Sequence, residues 1–170
     1  MRRFRGSARA GHWLKRSKAK KRRRFKKVIR AAHHRLAAAR ALLVAAYRRD
    51  AIYLGGYVVE CGLKALILDR SPKIEFEETF RLLTTSGAKG HDFGFLRELY
   101  TRRFFGLPLT GDVKLPSKIV FPVAIADALR RVWSWETIQR YETTLVPYAD
   151  AADFLAAVEL ILEWVERSIS

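Results

Sequence analysis

The chain has 170 residues, about half of them apolar, which is enough for one domain with a buried core. Its formal charge of +16 is unevenly placed: residues 1–49 hold 19 Lys or Arg and no acid, whereas residues 50–170 hold 14 Lys or Arg and 17 Asp or Glu, a balance of 14 − 17 = −3. A single cysteine excludes an internal disulfide, no apolar run follows the basic N-terminus as in a secretory signal, and the longest apolar stretch is broken by charges and too short for a bilayer, so a cytoplasmic protein without membrane contact is expected.

Residues 1–26 read as a basic N-terminal arm, either disordered or a helical overhang of the first core helix. Like charges repel along it, and it has too little apolar surface to offset the entropy of ordering. Lys18, Lys20, Lys21, Arg22, Arg23, Arg24, Lys26 and Lys27 form its densest block. Such a tract binds nucleic acid through counterion release, without sequence preference. Trp13 and Phe25 add faces on which bases can stack.

Residues 27–170 are expected to fold as a helical bundle. A first helix is predicted over 27–47, where Ile29, Ala32, Leu36, Ala39, Leu43 and Ala46 keep a helical stripe. A second is predicted over 50–69, capped by Asp50 and apolar on nearly every side, as a helix inside a bundle is. A short helix within 75–83 precedes the TTSGAKG loop. Asp92 caps a helix over 93–105, and residues 106–118 read as a loop rich in Pro and Gly. Further helices are predicted over 119–133, after a Ser134 cap, and from Asp150 to about Arg167. No segment alternates as a strand does. The predicted class is all-α, an antiparallel four- to five-helix up-and-down bundle.

The second helix carries the chemistry. Glu60 lies four residues before Lys64, the favourable orientation for a helical ion pair. Tyr57, Glu60 and Lys64 share a stripe beside the apolar face of Leu54, Val58, Cys61, Ala65 and Leu68. Charges on so apolar a helix are half-buried and need partners. Arg140 is the expected partner of Glu60, with Tyr141 beside it. His91 has two readings: a hydrogen bond to a helix end, or a place near Lys64 and Arg140 around an anionic ligand. Cys61 reads as a small buried hydrophobe. No group of His, Cys, Asp or Glu has metal-ligand spacing, and no cofactor motif is present.

The ordered set GYVVECGLKALIL (56–68), GHDFGFL (90–96), RYE (140–142) and EWVE (163–166) resembles the HEPN domain family over about residues 27–167. The resemblance implies a helical bundle that forms a homodimer, in toxin–antitoxin, defence or RNA-processing systems, in some cases paired with a nucleotidyltransferase. Many members are metal-independent ribonucleases that use Arg followed by His after roughly four to six residues, with His as general acid or base and Arg on the phosphate. Here no His follows Arg140, and Arg30 to His34 is one residue too short. Arg5 to His12 has the spacing, but within a tract so rich in Arg that such a match is cheap. The expected function is therefore a non-catalytic nucleic-acid-binding or assembly module. The alternatives are a ribonuclease with a non-standard set, His91 and Arg140, and a module that binds only protein.

Overall fold

A computed structural model describes residues 7–111, 114, 115, 119 and 121–169, with side chains from Arg23 onward except that of Arg140. Among these residues every regular element is helical. The α-helices are α1 (Ser7–Val44), α2 (Arg48–Arg70), α3 (Phe76–Thr85), α4 (Phe93–Phe104), α5 (Val123–Val132) and α6 (Tyr148–Ser168). Two 3-10 turns, Gly87–His91 and Thr137–Tyr141, stand before α4 and α6. The described helices number six rather than four or five, because Phe76–Thr85 and Val123–Val132 are both full α-helices.

α2 is the axis of the bundle. It packs against α1, α6 and α4, and its buried residues surround it, from Ala51 through Val58 and Val59 to Leu66, Ile67 and Leu68. Contacts along α1 and α6 run in opposite order, His33 with Glu166 and Arg40 with Glu159. Those along α2 and α6 run in the same order, Gly55 against Leu155 and Gly62 against Val165. By length and composition α2 could cross a membrane, contrary to the expectation that Glu60 and Lys64 cut it too short. Its apolar surface is used elsewhere: 72% of its most apolar window is buried inside the protein.

The helix ends differ from the predicted ones for local reasons. α1 closes in a Schellman turn, with Tyr47 N–H donating to Leu42 O at 2.8 Å and Ala46 N–H to Leu43 O at 3.1 Å. Ala46 takes the left-handed conformation (φ 65°) that this turn demands. The chain then passes straight into α2 at Arg48, and Tyr47 in the capping position makes no side-chain cap. Asp50 is thus not the cap but a first-turn acid near the positive end of the helix. Likewise α6 starts at Tyr148 behind Pro147, with Asp150 in its first turn. Ser134 caps nothing; its carbonyl accepts from Gln139 Nε2. Asp92 does cap α4, accepting from Phe95 N–H at 2.5 Å.

At the N-terminal side the backbone of residues 7–26 continues α1, so the expected boundary at residue 27 falls inside one helix. Residues 1–6, and the side chains of Lys18, Lys20, Lys21 and Arg22, lie outside the described residues.

Gly56 decides how α2 meets the segment after α5. A Cβ there would lie 2.0 Å from Cε2 of Trp135, inside the indole ring. Trp135 is 3% exposed and has no room to retreat. Gly56→Ala is therefore expected to lower stability by about 1–3 kcal/mol, as overpacking does. Denaturant unfolding measures this; an unchanged midpoint would show that the slot is not filled by the indole.

Candidate functional site

An apolar helix is a costly place for a carboxylate. Removing one from water costs several kcal/mol unless charge and hydrogen bonds replace the lost hydration. The Glu60 side chain is 6% exposed, and both its oxygens are engaged. Lys64 Nζ donates to Oε1 at 2.7 Å from one turn further along α2. His91 Nδ1 meets Oε2 at 2.7 Å from the end of the first 3-10 turn. An ionised carboxylate only accepts hydrogen bonds, so the proton of this contact sits on Nδ1. In the neutral ring Nε2 is then a bare acceptor.

The local chain path places His91. The 3-10 turn ends at His91, and Asp92 at once caps α4, which pins the imidazole between two short-range constraints. Gly90 is buried against this site; a Cβ on it would come within 3.8 Å of Lys64 Nζ. On the other side the Tyr57 ring meets the His91 ring edge to face at 5.7 Å and the Trp135 ring at 5.1 Å. Tyr57 and Tyr53 hydroxyls lie 3.0 Å apart. Trp135 Nε1 donates to Tyr53 O at 3.1 Å, and its ring stacks on Phe93 at 5.1 Å. The imidazole thus has a buried anion behind it and an aromatic wall beside it.

His91 keeps 39% of its side chain exposed. It opens on a cleft of about 430 Å³ lined also by Asp92, Phe93, Trp133, Glu136 and Thr137. Trp133 and Trp135, not among the residues singled out from sequence, are part of the site. The signal for it was the Gly55–Gly56 pair in an otherwise apolar helix, which marks a close approach by something large.

Of the residues singled out from sequence, Tyr57, Glu60, Lys64 and His91 come together, with Asp92 adjacent. Lys64, expected on a phosphate, spends its ammonium on Glu60 and is 14% exposed. The side chain of Arg140, the expected partner of Glu60, lies outside the described residues, and Lys64 and His91 already occupy both Glu60 oxygens. Tyr141 ends the second 3-10 turn and is exposed. Arg23, Lys26 and Lys27 are exposed on α1. Arg24 instead pairs with Glu77 at 2.6 Å and lies 4.2 Å over the Phe80 ring.

Three other polar features serve structure. Buried Arg103 reaches Glu75 at 2.6 Å and Thr79 Oγ1 at 3.0 Å, tying α4 to α3. Arg102 holds Glu98 at 2.9 Å and the carbonyls of Pro108 and Gly111. Arg48 and Arg49 hold the carbonyls of Val146 and Thr144, fastening the segment before α6 to the start of α2. Cys61 is buried, and burial pushes its thiol above the ordinary range despite nearby Arg35, so it stays protonated at neutral pH. Among the described residues no three His, Cys, Asp or Glu side chains are gathered as a metal site requires.

Glu60→Ala leaves an ammonium and an imidazole facing an apolar helix with no counter-charge. The expected loss is about 3–5 kcal/mol, the usual cost of breaking a buried pair from one side. Lys64→Met, which leaves His91 on Glu60, is expected to cost less. Denaturant titration ranks the two; equal, small losses would mean that Glu60 is hydrated. Compared with known proteins, the chain matches no family, no curated protein and no solved structure.

Proposed function

We propose that the chain is a HEPN-like module, cytoplasmic and homodimeric, that holds RNA or DNA without sequence preference and does not cleave it. One observation carries the reading: the cationic tract and the first core residues lie on a single helix. α1 runs unbroken from Ser7 to Val44 and contains no acid. Its C-terminal half is anchored by buried Ala32, Leu36 and Ala39. A cationic rod fixed to a folded body presents charge to a polyphosphate at lower entropic cost than a free tail does. Arg23, Lys26, Lys27 and Arg30 are exposed for such contacts. The order of the Glu60–Lys64 helix, the His91–Asp92 cap and the closing helix supports the HEPN likeness. A place in a toxin–antitoxin or defence locus, and a nucleotidyltransferase as protein partner, belong to the same reading.

A second reading, a metal-independent ribonuclease, is favoured by the His91 imidazole. Held at Nδ1 by a buried carboxylate and open to the cleft at its other nitrogen, it is poised as a general base. Chelator-resistant RNA cleavage that disappears in His91→Ala would select it.

The binding reading is tested by salt dependence. The logarithm of affinity for single-stranded RNA is expected to fall linearly with the logarithm of salt concentration. The variant Arg23→Gln/Lys26→Gln/Lys27→Gln is expected to flatten that slope by about 2, at roughly 0.7 per lost phosphate contact. A slope equal to that of the unaltered protein would remove α1 from the interface.

A further inference from the structure

The cleft beside His91 sets Trp133, Glu136 and Thr137, which the nucleic-acid reading does not use, around a floor of core residues. Trp133 is 39% exposed, while its neighbours Trp135 and Phe93 are 3% and 5% exposed and stacked on each other. The floor is therefore closely packed, and Trp133, with Arg97 over one face of its ring, has its other face for whatever enters. The polar groups around it are mixed. Glu136 is exposed and its carboxylate accepts only. His91 presents Nε2, an acceptor while Nδ1 donates to Glu60. Thr137 brings a hydroxyl, and the N-terminus of α4 at Phe93 and Gly94 brings the positive end of a helix.

This set sorts ligands by charge. A phosphate would meet the Asp92 and Glu136 carboxylates. A cation would meet the α4 N-terminus, and the Arg97 guanidinium already lies 5.1 Å over the Trp133 ring. A neutral planar ring with both donors and acceptors on its edge suits the site best. We propose that the cleft binds one unstacked nucleobase, with guanine preferred. The ring lies on Trp133, and its adjacent N1–H and 2-amino donors meet the two oxygens of Glu136. The attached sugar-phosphate stays in solvent at the mouth of the cleft, because the adjoining hollow of about 440 Å³ sets the acids Asp92 and Glu98 beside Lys89. The inference rests on the nucleic-acid reading and goes beyond it: α1 holds the backbone without regard to sequence, and the cleft adds a preference at a single base.

The probes are guanosine 5′-monophosphate and inosine 5′-monophosphate, which differ only by the 2-amino group, with methylguanidine as the cationic control. Binding to the full chain is followed by NMR at the Trp133 indole and His91 ring signals. Guanosine monophosphate is expected to move both signals and to bind about tenfold more tightly than inosine monophosphate, since a hydrogen bond to a charged acceptor is lost in the latter. Glu136→Gln should erase that preference, and Trp133→Ala should weaken both nucleotides at least tenfold. Glu136 is on the surface, so its variant keeps the test valid if Trp133→Ala does not fold. The proposal is overturned if the nucleotides move only signals of α1, if they bind equally well, or if methylguanidine binds more tightly than either. A mononucleotide has too few phosphates to depend on α1, so the two readings fail separately. Shifts at Trp133 without RNA retention would strike α1 alone, and RNA retention without those shifts would strike the cleft alone.

Discussion

The structure turns on one carboxylate placed where water cannot reach it. Glu60 sits on the most enclosed helix of the bundle, and its charge is tolerable only because an ammonium and an imidazole are brought to it. That requirement has consequences at a distance. The 3-10 turn must deliver His91 to the flank of α2, so α4 must begin at Asp92. Gly90 is buried beside Lys64. The Tyr57 ring, one turn before Glu60, then closes the site against Trp135. Buried ion pairs add little net stability over apolar packing of the same shape. What this one supplies is orientation: a histidine held by one nitrogen with the other facing a cleft.

The second constraint is the close approach at Gly56. Trp135 enters α2 where a side chain is missing and donates its indole N–H to the Tyr53 carbonyl. This draws the end of α5 and the second 3-10 turn over the polar cluster. The cleft is thus a product of two short-range fits, one polar and one steric, that share α2.

Much of this was legible in the residues. Of the seven segments predicted helical, six are α-helices and the one after Ser134 is the 3-10 turn Thr137–Tyr141; these, the Asp92 cap and the burial of Cys61 follow from patterning and capping chemistry. The Glu60–Lys64 pair was readable because four residues on a helix is a fixed geometry. The bond from His91 to Glu60 was not. His91 is 31 residues away, and no local rule distinguishes its approach from that of Arg140. The start of α2 was misjudged because Ala46, not glycine, adopts the left-handed turn, so the usual signal for a helix end was missing. For residues 7–26 the sequence left two readings open, because charge repulsion argues against helix while the tract is otherwise made of good helix formers; the backbone follows the helical overhang. The buried roles of Arg102 and Arg103 were invisible for a related reason: arginine in a last turn reads as exposed unless its partners are known.

Charge is divided between two tasks. Among the described side chains, Arg23, Lys26, Lys27 and Arg30 of α1 are exposed, whereas Arg24 and Arg40 pair with acids, and Lys64, Arg102 and Arg103 are turned onto acids, a hydroxyl and carbonyls. This leaves the body weakly acidic and the rod strongly basic within one chain. The central claim is that a buried Glu60 carboxylate fixes the His91 tautomer, and nitrogen-15 NMR of the imidazole tests it most directly. The structure requires a protonated Nδ1, protected from exchange, and in the neutral ring an unprotonated Nε2. A neutral His91 carrying its proton on Nε2, or an Nδ1 proton that exchanges as fast as in a free histidine, would contradict it.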